Sequence, residues 1–111
     1  MKYLVRMDLI DPGPLLSPQQ VAGILENLVV PSFQALVKLE KDGKILAGGL
    51  EAGARSGVFI VDAPSHDELS RLLESLPFWG IIKWQVTPLE SFEHRIEGVQ
   101  EAIKHLKVGA K

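Results

Sequence analysis

The apolar residues of this 111-residue chain change their spacing several times, and the order of the changes limits what it can fold into. From residue 2 to 10 they alternate. Tyr3, Val5, Met7 and Leu9 fall on one side and Lys2, Leu4, Arg6, Asp8 and Ile10 on the other, which is the period of a strand. The turn DPGP at 11–14 stops that strand, because two prolines and a glycine cannot continue a ladder. The spacing then becomes three or four. Ser17 supplies an N-cap, Pro18 the first helical position and Gln20 a capping-box partner. The helix they start carries Val21, Ile24, Leu25, Leu28, Leu36 and Leu39 and ends at Asp42-Gly43. Pro31 is expected to kink it, since its ring removes a backbone hydrogen bond and crowds the preceding turn.

KILAGGLEAG at 44–53 reads as a second strand, weakened or bulged by Gly48 and Gly49, and SGVFIVDA at 56–63 as a third. The loop around Gly53 to Ser56 makes them a hairpin. SHDE at 65–68 is another capping-box start, with Leu69, Leu72, Leu73 and Leu76 as the stripe and Pro77 as the stop. In LPFWGIIKWQVTPL, at 76–89, the fourth strand runs from Ile81 to Val86. Alternation puts Ile82, Trp84 and Val86 on one face and Lys83, Gln85 and Thr87 on the other. A last helix at 91–107 carries Phe92, Ile96, Val99, Ile103 and Leu106 along one side.

The order βαββαβ is the ferredoxin-like α+β arrangement, with two helices on one face of a four-stranded antiparallel sheet, here in a single domain over 1–111 with an extra C-terminal helix. The other face, carrying Leu4, Ile81, Leu89 and Val58 or Ile60, is left bare. A second copy laid over it is the expected cover, so the subunits should pair into a dimeric α+β barrel.

Composition removes several function classes. Without cysteine there is no disulfide, thiolate metal site or cysteine nucleophile, and the histidines at 66, 94 and 105 are too scattered to suggest a metal site. The net charge of -2 is well mixed, with no basic run to track a phosphate backbone, so nucleic acid is not an expected partner. MKYLVRMDLI lacks the pattern of a signal peptide, and no run approaches the ~20 apolar residues of a membrane span. A cytoplasmic protein with no membrane partner is the expectation.

The polar residues on the helix-free face form the main candidate site. Arg6 and Asp8 on the first strand should lie beside Lys83 and Gln85 on the fourth, because these strands are antiparallel neighbours in this fold. There Arg6, Lys83 and Gln85 would bind an anionic small molecule or a lactone while Asp8 moves a proton. An ion pair from Arg6 or Lys83 to Asp8 that only fixes a subunit interface is the alternative. Glu51 is a second candidate acid or base, and a bulge at Gly48 or Gly49 would decide which way it faces.

Three stretches, YLVRMDL at 3–9, VFIVDAPS at 58–65 with the spacing from Gly43 through Gly53 before it, and LPFWG at 76–80, resemble the muconolactone isomerase family over roughly residues 1–90. The resemblance implies dimeric α+β barrels and the movement of a double bond in an unsaturated lactone by proton transfer, without metal or organic cofactor. Where those isomerases carry polar residues in the second half of the first helix, this chain has Val30, Pro31, Ser32 and Phe33. Where their second strand is basic and histidine-rich, it has Leu46, Ala47, Gly48 and Gly49. The family's expected acid and base groups are thus largely replaced, and a non-catalytic oligomeric binding module is the other reading.

Overall fold

The computed structural model describes residues 1–10 and 16–109; the DPGP turn lies outside them. Four antiparallel strands, β1 (Lys2–Leu9), β2 (Ile45–Leu50), β3 (Ser56–Asp62) and β4 (Ile82–Leu89), form one sheet in the order β2-β3-β1-β4. One face is covered by the helix running from Pro18 to Lys41 and by α3 (His66–Glu74). The α+β architecture expected from the order of spacings is therefore the observed one. Alternation works as read on β1, where Tyr3, Val5 and Met7 are buried and Leu4, Arg6 and Asp8 are not. The core they join contains Phe59, Val61, Leu69, Leu73, Leu76, Phe78 and Ile82.

The first helix consists of α1 (Pro18–Ile24), a π-helical turn (Leu25–Val29) and α2 (Val30–Lys41). At its start Ser17 and Gln20 make both halves of the capping box. The irregularity expected at Pro31 takes the form of the π turn just before it: the Val30 N–H reaches back to the Leu25 carbonyl, and the helix continues. A proline ring normally collides with the carbonyl four residues back, and a wider turn relieves that collision without ending the helix. One turn on, Ser32 is fully buried. Its hydroxyl donates to the Leu28 carbonyl at 2.7 Å and accepts from the Phe78 N–H at 2.9 Å, tying the helix to the segment that enters β4. By length and composition Pro18–Lys41 would suffice to cross a membrane, but here Leu28, Phe33, Leu36 and Leu39 pack on the sheet's core.

Three details differ from the expectations. The fourth strand starts and ends later, at Ile82 and Leu89, because Trp79–Ile81 is a 3-10 turn and an edge strand tolerates Pro88. Ile81 consequently packs against the core instead of lying on the helix-free face. The bulge in β2 falls at Leu46, between the pairs Ile45–Val61 and Ala47–Ile60, not at a glycine. Gly48 has a different task. Its φ is +143°, and a Cβ there would stand 2.4 Å from the Val58 carbonyl oxygen, so the backbones of β2 and β3 approach closely at this point.

The last helix, α4 (Phe92–Gly109), packs on neither face and buries none of its residues. It makes the molecule 71 Å long, and the radius of gyration is 19.3 Å, against ~13 Å for a compact chain of this length.

Candidate functional site

On the helix-free face, the β1–β4 register sets Arg6 opposite Gln85 and Asp8 opposite Lys83. The bulge at Leu46 shifts the parity of the rest of β2, so that Ala47 and Gly49 turn away from the helices and Glu51 follows them. Arg6 Nη1 donates to Glu51 Oε1 at 2.5 Å, and its Nη2 donates to Asp8 Oδ1 at 3.3 Å. The three side chains are 41, 38 and 38% exposed. The Glu51 hydrogen bond, together with the charge of Asp8, pushes the Arg6 pKa above the ordinary arginine value. The four polar side chains named from alternation thus share one face with Glu51, whose facing the sequence left open, but with an internal division: Arg6 is held by two carboxylates, whereas Lys83 forms no ion pair with another described residue and, like Gln85, is exposed.

The larger, half-open hollow lies on the opposite face. Between the first helix and the sheet is a cavity of about 450 Å³, walled by Met7, Leu9, Ile24, Val29, Phe33 and Ile82 among others. Its size is in the range that takes a small organic ligand. The π turn contributes Leu25 and Val29 to this wall. Gly57 keeps the floor open, since a Cβ there would come within 2.8 Å of Met7 Cε and 2.9 Å of Leu50 Cδ2. Arg55, itself exposed, is the one charged residue of the lining among the described residues; Ser56, opposite Asp8 in the register, turns its side chain to the helix-free face.

A second cavity of about 210 Å³ adjoins the first along β2 and shares Met7, Phe33 and Leu50 with it. It is lined by the backbone of Gly48 and Gly49, and among the described residues the exposed Glu40 is its one ionisable residue. Neither Arg55 nor Glu40 was singled out by sequence reasoning. A usable signal existed for Glu40, which stands four residues after Leu36 on the stripe that faces the sheet. For Arg55 there was none, because a charged residue in a hairpin loop is ordinary. His66, His94 and His105 are all exposed, and no three metal-ligating side chains come together among the described residues.

The profile of the muconolactone delta-isomerase family matches residues 1–95. Muconolactone Delta-isomerase of Cupriavidus pinatubonensis (strain JMP 134 / LMG 1197) is 33% identical over 89 residues, which are 80% of this chain and 91% of that protein. The chain belongs to the muconolactone delta-isomerase family. Its fold is that of a crystal structure of muconolactone isomerase, with a TM-score of 0.66 at 20% identity over 82% of this chain and 90% of the other. A 5-chloro-2-hydroxyhydroquinone dehydrochlorinase from Burkholderia phenoliruptrix AC1100, solved in complex with 2,5-dihydroxybenzoquinone, has the same fold at a TM-score of 0.55. It is 24% identical over 85% of this chain and 98% of the other. The family match stops at residue 95, so most of α4 lies beyond the part this chain shares with the muconolactone delta-isomerases.

Proposed function

We propose that this chain is a small-molecule enzyme that moves a double bond in an unsaturated lactone or carboxylic acid by proton transfer, and that the substrate sits on the helix side of the sheet. The reading rests on the paired cavity, whose apolar walls are broken by a cation in one part and a carboxylate in the other. Moving such a double bond takes a proton from one carbon and returns one to another. While the proton is away, the electron pair is spread onto a carbonyl oxygen as an enolate. The chemistry therefore needs a base that can become an acid, and a positive group facing the oxygen. Glu40 fits the first role and Arg55 the second, both from exposed positions in the lining. Membership of the muconolactone delta-isomerase family supports the reaction class.

The test is NMR of muconolactone and related unsaturated lactones in D2O. The parent protein should exchange a substrate C–H for deuterium and shift the double bond. Glu40→Gln should lower the rate at least ~100-fold, the lower end of what a positioned acid or base contributes. Arg55→Met should chiefly raise KM for substrates that carry a carboxylate. Binding without exchange would leave the non-catalytic binding module, and neither binding nor exchange would remove the reading.

The register of β1 and β4 favours a second reading. A second copy laid on the helix-free face would enclose the polar cluster, with Asp8 and Glu51 as acid and base and Arg6, Lys83 and Gln85 holding the anion. Arg6→Met and Lys83→Met would then abolish ligand-induced thermal shifts that Arg55→Met leaves intact, and Leu4→Asp would dissociate the pair. The reverse pattern assigns the ligand to the helix side.

A further inference from the structure

The stripe on α4 is complete and is covered by none of the described residues. Phe92 is 91% exposed and Leu106 73%, and Ile96, Val99 and Ile103 between them are each exposed by more than two-fifths. The steps from Phe92 through Ile96, Val99 and Ile103 to Leu106 are four, three, four and three. That mean of ~3.5 residues suits a helix that meets another helix along one seam. Over 18 residues the helix is ~27 Å long, enough for a short two-helix contact.

The charges beside the stripe say which helix fits. Residues 92–101 hold three glutamates and one arginine, whereas 102–109 hold two lysines and no acid. This polarity suits the dipole of a single helix. It also makes α4 complementary to a reversed copy of itself. With Ile96 and Ile103 at a and Val99 and Leu106 at d, Glu93, Gln100 and Lys107 occupy e, the position that faces its own kind across an antiparallel pair. Glu93 then meets Lys107 of the other copy at both ends, and the two Gln100 side chains meet in the middle. A parallel pair would instead set acidic half against acidic half, with Arg95 beside Gln100 and Ala102 beside Lys107. An anionic membrane surface is a poor match as well, because the acidic first half has no excess of cations to present.

We infer that α4 is an assembly helix that pairs antiparallel with α4 of a second copy of this chain, through the Phe92–Leu106 seam and reciprocal Glu93–Lys107 contacts. The contact is separate from any pairing through the sheet, and it lies largely outside the region matched by the family.

The chain has no cysteine, so single thiols can report the geometry. Glu93→Cys and Lys107→Cys variants, mixed and mildly oxidised, should give a disulfide joining one of each, at least ten-fold more abundant than either self-linked product. Ile103→Asp in both variants should abolish that product. By sedimentation, Glu93→Lys should weaken association about ten-fold, and the double exchange Glu93→Lys with Lys107→Glu should restore it. Predominant self-linked product would replace the antiparallel pair with a parallel one and overturn the inference. Absence of any cross-link would overturn it too, as would co-sedimentation of uncross-linked protein with anionic vesicles.

Discussion

The two faces of the sheet differ in how they satisfy the same alternating strands. On the helix side of β1, Tyr3, Val5 and Met7 are buried, and what polar character there is stands apart, Arg55 in one cavity and Glu40 in the next. On the other side, Arg6, Asp8 and Glu51 are half exposed and already hold one another. Apolar hollow and paired charges have thus been separated, so neither face is a finished site by the count of its charges alone. A cation whose charge is already met by two carboxylates has little left for a ligand, whereas Arg55 has no ion-pair partner among the described residues, although its exposure leaves its charge screened by water.

Substitutions can break this contrast. The largest expected loss is for Leu69→Ala, which empties a fully buried position in α3 and should cost about 2–5 kcal/mol in urea denaturation. Gly48→Ala should follow, since it combines a left-handed φ with a Cβ 2.4 Å from a backbone oxygen and goes beyond the ~1–3 kcal/mol of a strained backbone alone. Its neighbour is the control: Gly49→Ala has open space around its Cβ and should stay within ~0.5 kcal/mol of the parent. Ser32→Ala leaves the buried Phe78 N–H without its acceptor and should cost about 1–3 kcal/mol, with Ser32→Thr or Cys as shape controls.

Arg6→Met should have a small effect, and one that fades in high salt, because its partners are partly in water. The raised pKa of Arg6 has a definite sign: its stabilisation is fully present below the ordinary arginine range and is lost as pH rises from that range through the raised value. No change on the alkaline side up to pH 10 should therefore be traceable to this residue. A loss of stability there in the parent that Arg6→Met removes would contradict the pairing.

Much of the fold was legible because each element announces itself locally. The alternation of β1, the Ser17 capping box and the stop at Pro77 needed no knowledge of partners. The cavities were not legible, since their volume depends on how far the helix stands from the sheet, and that is set by the π turn at Leu25–Val29 and by the missing side chain of Gly57. The polar cluster was found because it follows from parity plus strand order. Glu51 was left open because the bulge is decided by pairing with β3, and the chain chose Leu46 over the more permissive glycines nearby. The stripe on α4 was visible, but an apolar stripe looks the same whether it meets its own sheet or projects from it.

The bulge also defines how β2 can tolerate changes in length. Leu46 is the one residue of the strand without an opposite number on β3. Deleting it would join Ile45 directly to Ala47 in regular alternation and leave Leu50 toward the cavity and Glu51 toward Arg6. Deleting Gly49, three positions on, would exchange those two, carrying a carboxylate to the apolar side and a leucine to the ion pairs. A single lost codon is therefore neutral for the faces of the strand at one position and inverts them at the other, so length variation among relatives of this chain should be tolerated at Leu46 and rejected beyond it.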